Sequence, residues 1–177
     1  MRRLLLVATM AAALIGLPGP APAGAETPVN QRVDIVFVGA QAGVVTAKGV
    51  IDAVGVVTEE NTLHPDGTFH GTLRFQFLLG SVTAPFTGVV TEVDVDPATC
   101  TGRFATVGEF TIASGTGAYA GATGSGRFSE RGIFNAVPTP SGCSPTLQIR
   151  TLLVTEATGS VSLPRRSGLL GGASALT

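Results

Sequence analysis

Tryptophan is absent from the chain and tyrosine occurs once. Barrels that cross an outer membrane carry aromatic girdles at both interfaces, so this shortage argues against one. Histidine occurs twice and no Gly-x-Ser-x-Gly elbow is present, which leaves little from which to build a Ser-His-Asp hydrolase. Positive charge is also short. With Arg2 and Arg3 set aside, nine basic residues stand against twelve acidic ones, a net charge of −3. Scattered cations on a weakly acidic chain argue against nucleic acid as a partner, and against an anionic membrane surface. Only two cysteines occur, Cys100 and Cys143, both in turn-like segments. In an exported chain they are expected to form one disulfide; a catalytic thiol is the alternative.

What the chain does have begins with an export signature. Arg2 and Arg3 form a basic head, Leu4 to Leu14 is an uncharged apolar run, and Ala23-Gly24-Ala25 before Glu26 has the small-x-small pattern of a signal-peptidase site. Ala21-Pro22-Ala23 is a second candidate cut. The apolar run is short for a span of ~20 residues, and no cysteine follows closely enough for a lipid anchor. The expected organisation is a signal peptide over residues 1–25, one β-domain over 26–163 and a disordered tail over 164–177. The mature protein is thus expected to be secreted, with no integral membrane span.

Between those ends the chain reads as strands and turns. Val33, Ile35 and Phe37 alternate with Arg32, Asp34 and Val36, as in a half-buried strand. Val44 to Val57 reads as one bent strand or two short ones, since Gly49 and Gly55 interrupt it. His64-Pro65-Asp66-Gly67 is a turn, with proline presetting φ and glycine taking the left-handed position. Phe69, Leu73, Phe75 and Phe77 then share one face. Val82 to Val95 follows, with a bulge expected at Gly88. Phe104, Phe110 and Ile112 share a face, as do Phe128 and Phe134. Pro138 to Pro145 reads as a loop holding Cys143, and Leu147 to Leu163 as the last strand region, with a break at Thr158-Gly159. Pro164 ends it, having no N–H for a ladder. Seven or eight strands at hairpin spacing, with glycines inside them where a sheet bends to close, predict an all-β, antiparallel closed barrel.

The glycines at 115, 117, 121, 124 and 126 do not make a nucleotide site. They lead into the strand pattern Arg127-Phe128-Ser129-Glu130 rather than a helix, and no lysine sits in the loop. His64, His70 and Asp66 invite a surface metal site, but histidines beside a turn are more often solvated, and no metal is expected. Glu92, Asp94, Arg103, Arg127 and Arg131 oppose the apolar parity of their strands and are assigned to the outer face. Glu130 differs, because it shares parity with Phe128 and Phe134. An inward carboxyl there would be desolvated and its pKa raised; the alternative is a bulge at Gly132 that turns Glu130 outward. Arg150 likewise shares parity with Leu152 and Val154.

The run Phe110-x-Ile112-x-x-Gly115-Thr116-Gly117-x-Tyr119-x-Gly121-x-x-Gly124 resembles the glycine corner of the allene oxide cyclase and dirigent families. These are calycin-like barrels of eight strands in which a Gly-Thr/Ser-Gly-x-aromatic turn precedes a strand. The resemblance covers about fifteen residues and implies an apolar cavity that folds a flexible substrate. Cyclisation of that kind needs no cofactor, because confinement supplies much of the barrier reduction. It also implies a homo-oligomer, as related barrels often trimerise. The families' polar pocket residues do not map onto this chain.

Three functional readings follow. The first is a secreted binding barrel for a small apolar molecule, lined by Phe75, Phe110, Phe128, Phe134 and Arg150. The second is a cofactor-independent cyclase or isomerase with Glu130 as its catalytic acid. The third is a structural or interaction barrel whose nine phenylalanines fill the interior.

Overall fold

The structure is a computed structural model that describes residues 27–39, 41–140 and 142–164, with the side chains of 145–150 excepted. The expectations for the signal segment and, beyond Pro164, for the tail lie outside the described residues.

Period-two alternation dominates the described chain, and antiparallel strands are what it forms. They are β1 (Val29–Val38), β2 (Ala42–Lys48), β3 (Ala53–Leu63), β4 (Thr68–Phe77), β5 (Gly80–Asp96), β6 (Thr101–Ile112), the two-residue β7 (Ser114–Gly115), β8 (Thr123–Thr139) and β9 (Gly142–Ser162). A single 3-10 turn, Gly117–Tyr119, is the helical element among the described residues. The pairings ring around. β1 pairs with β2, β2 with β3, β3 with β4 and β4 with β5. β5 pairs with β6, β6 with β8, β8 with β9, and β9 with β1. Buried residues on the inner face include Ile35, Phe37, Val45, Val57, Phe77, Phe128 and Val161.

One rule organises that inner face. Eight of the nine phenylalanines stand directly opposite a glycine on a neighbouring strand. The pairs are Phe37 with Gly43, Phe77 with Gly55, Phe86 with Gly71, and Phe69 with Gly88. On the β6–β8 seam they are Phe134 with Gly102, Phe128 with Gly108, Phe110 with Gly126, and Phe104 with Gly132. In each pair the ring fills the space that a Cβ on the glycine would take. Aromatic cover of this kind compensates the weak packing of strand glycines. The exception is Phe75, which faces Val57 and Val82.

Of the two forms expected for Val44 to Val57 the structure takes two strands, parted at Gly49, whose φ of +147° suits glycine. Other boundaries differ from the sequence reading. Gly88 is not a bulge: it sits in register against Phe69 and Gly108, and the Phe69 ring takes the space it leaves. The irregularity falls instead between Val90 and Glu92. Pro138 to Pro145 is not a loop, since β8 runs to Thr139 and β9 starts at Gly142, with Pro138 paired to Cys143. Thr158-Gly159 is no break either; the β9 ladder to β1 runs unbroken through both residues.

Cys100 and Cys143 are bonded, which fastens the turn before β6 to the start of β9. The glycine corner folds back over the β4–β5 hairpin. Thr116 N donates to Ser81 O at 2.9 Å, Ser81 N donates to Thr116 Oγ1 at 3.0 Å, and Ala118 N donates to Leu79 O at 2.7 Å. Gly117, at φ +57°, makes that reversal without strain. It delivers Tyr119 edge-on to Phe77, buried in the main core cluster.

On the outer face, Val154, Val36, Val44 and Val56 form one exposed row across β9, β1, β2 and β3. Charged pairs occupy another part of that surface, where Arg103 meets Glu92 and Asp94, and Arg127 meets Glu109. The outward placement expected for Glu92, Asp94, Arg103, Arg127 and Arg131 agrees with their exposure.

Candidate functional site

The β8 strand decides the site. Its register against β6 is continuous from Thr101↔Asn135 to Ile112↔Gly124, and no bulge intervenes at Gly132. Glu130 therefore keeps the parity of Phe128 and faces inward. It lines an interior cavity of about 60 Å³, taken as the room open to the centre of a water-sized sphere. That is space for several waters or a slim ligand, and less than a drug-sized molecule needs.

The walls are apolar. Phe75 and Phe110, both half-buried, and the buried Phe128 line the cavity, with Ile35, Phe77 and Val161 among their neighbours. Phe128 meets Phe86 and Phe69 edge-on or tilted, which holds its ring in place. Phe134 does not reach the cavity. It packs with Cys100 and Ala136 in a separate cluster, where Phe104 covers it. Arg150 pairs with Asn135 in the β8–β9 ladder, but its side chain lies outside the described residues.

A second carboxyl joins Glu130. Glu59, on β3, also lines the cavity and is 8% exposed. Asn61 Nδ2 donates to Glu59 Oε1. Thr155 Oγ1, from β9, donates to Glu130 Oε2 at 3.0 Å. Thr106 stands opposite Glu130 on β6, completing a Thr106–Glu130–Thr155 row across three strands. Its hydroxyl is buried without a hydrogen-bond partner, though near enough to Glu130 to favour the ionised carboxylate.

Burial pushes the Glu130 carboxyl up to about 7, and the negative charge of Glu59 adds to the rise. The Thr155 and Thr106 hydroxyls oppose it. Burial raises Glu59 as well, opposed by its bond from Asn61. Two acids that lack a cation among the described lining residues resist simultaneous ionisation. Near neutrality the pair can therefore hold a proton and pass it on, or hold a positive group from outside.

Other polar features are structural. The Gln31 amide, buried, donates to Ile51 O at 2.9 Å and accepts from Ile51 N at 3.0 Å, which pins the β2–β3 turn. His64 and His70 do meet across the hairpin, Nε2 to Nδ1 at 3.0 Å. Asp66 is turned away to accept from Thr68 N and Thr68 Oγ1. Among the described residues no group of three or more His, Cys, Asp or Glu is placed to hold a metal ion. Nor, among them, is any helix long and apolar enough to cross a membrane.

Glu59 was not singled out from sequence, although Val57 and Glu59 share a parity that carries β3 past Val57. Thr106 and Thr155 carried no signal, because a threonine inside a strand is unremarkable until its cross-strand partner is known. Fold and site together define an antiparallel all-β protein with an apolar interior and two inward carboxyls. No family model, curated protein or solved structure matches the chain.

Proposed function

We propose that the chain is an exported, closed barrel of eight long strands, calycin-like in form, that binds a small apolar molecule in its interior. The observation that carries this reading is the cavity bounded by Phe75, Phe110 and Phe128, with polar groups confined to a few positions. The ring of pairings supports closure, and the Cys100–Cys143 bond suits an oxidising compartment. The resemblance of the Gly115–Gly124 corner to the cyclase and dirigent barrels points the same way. At about 60 Å³ the resting cavity suits a slim ligand; a larger one requires the half-buried Phe75 and Phe110 to turn.

Native mass spectrometry of the secreted protein tests this reading. The expected result is a mass above that of the bare chain, lost on denaturation, from a non-covalent apolar passenger. A bare mass, together with no rise in melting temperature against a panel of small apolar compounds, overturns it.

A second reading, a cofactor-independent isomerase or cyclase, is favoured by one observation. Glu130 stands inside the cavity with a carboxyl poised near neutrality, where a general acid works best. Glu130→Gln separates the two readings: a binder retains its ligand, whereas an enzyme loses turnover of it.

A further inference from the structure

Glu59 and Glu130 face one cavity whose other walls are apolar, and among the described lining residues there is no lysine, arginine or histidine. Buried acids without a cationic partner are costly, and a fold retains them more readily when something else supplies the charge. Each carboxyl is also under-used. Glu130 accepts one bond, from Thr155, and Glu59 one, from Asn61, whereas a carboxylate has room for about four.

The Thr106 hydroxyl supplies an independent observation. It is 4% exposed, stands directly across from Glu130 on the inward face, and has no hydrogen-bond partner. A buried hydroxyl left open beside the under-used Glu130 carboxyl marks a place where a further hydrogen-bonding group can be taken in.

We infer that the cavity selects an apolar molecule bearing one primary ammonium group, seated with its cation between Glu59 and Glu130, on the side where Thr106 stands across from Glu130. An ammonium has three N–H donors and no acceptor, which suits two carboxyls that each have acceptor positions to spare. The aromatic walls of Phe75, Phe110 and Phe128 take the apolar remainder. A carboxylate ligand would meet two like charges, and an alcohol would donate only once. This inference rests on the cavity-binding reading and names the ligand class for it. Glu59 and Glu130 are the titratable groups facing the seat from the described residues, so uptake of an ammonium ion drives off a proton that they share.

Calorimetric titration of the folded full-length chain at neutral pH, with hexylamine, 1-hexanol and hexanoate as probes, tests the inference. Hexylamine is expected to bind at least about tenfold more tightly than hexanol, with hexanoate weakest. Glu130→Gln and Glu59→Gln, nearly isosteric, are expected to reduce that preference while hexanol binding persists. On the unaltered protein, titration in two buffers of different ionisation heat is expected to show proton release with the amine and none with the alcohol. Hexanol or hexanoate binding as well as hexylamine, or amine uptake without proton release, overturns the inference and leaves the cavity reading standing. Failure of all three probes to bind overturns both.

Discussion

Phe128 lies directly across the β6–β8 seam from Gly108, its ring in the space that a side chain on residue 108 would occupy. The Thr87 carbonyl crowds the same point from β5, so neither neighbour can withdraw cheaply. Gly108→Ala is therefore expected to lower stability by about 1–3 kcal/mol in urea denaturation, as overpacking does. Adding Phe128→Leu to Gly108→Ala should restore part of the loss. A Gly108→Ala protein within about 0.5 kcal/mol of the parent would contradict the packing described for this seam.

The inward Glu130 predicts an unusual pH response. Below its ordinary value of 4.5 the carboxyl is protonated in both the folded and unfolded states; between there and about 7 only the folded state keeps the proton. Stability therefore falls as pH rises through that window, by at most about 3 kcal/mol, and levels off above it. Glu59, also raised by burial, acts in the same sense. Glu130→Gln should flatten the slope in melting curves recorded across the window. If stability rises from pH 4.5 to 7 and the variant leaves it unchanged, Glu130 is not desolvated in the folded protein.

Loss of the Cys100–Cys143 bond should be costly in equilibrium terms. The bond joins residues 43 apart, and the paired Cys→Ser variant is expected to lose about 2–4 kcal/mol by the chain-entropy argument. An unchanged denaturation midpoint on adding dithiothreitol would show that the neighbouring ladders already hold the two ends together.

The exposed row Val154, Val36, Val44 and Val56 is an apolar stripe through which the homo-oligomer expected from sequence would associate. Sedimentation velocity should show association that Val44→Lys abolishes without changing the melting temperature. A monomer at every concentration sinks this expectation.

The strands were legible because their alternation is strong: Val33–Ile35–Phe37 and Phe104–Phe110–Ile112 announce their inner faces at once. Parity pointed Glu130 inward unless a bulge at Gly132 reversed it, and the continuous ladder past Gly132 decides for the inward face. Of the features that escaped, three show why. The bulge was expected at Gly88 because a lone strand glycine resembles one, yet this glycine answers to Phe69 on another strand. Glu59 hid behind a strand that was ended too soon at Val57. The separation of Phe134 from Phe75, Phe110 and Phe128 depends on how far along the ring each lies, and one-dimensional spacing does not carry that distance.

The ring-over-glycine pairs also answer a question that alternation leaves open. Sliding one strand along its neighbour by a single position turns its greasy side to water, but sliding by two leaves the facing intact. Such a shift between β6 and β8 would drive Phe128 onto Thr106 or Phe110 and leave Gly108 uncovered. Four ring–glycine matches along that seam act as an alignment key, fixing the absolute offset of the two strands and, with it, the height at which Glu130 meets Thr106.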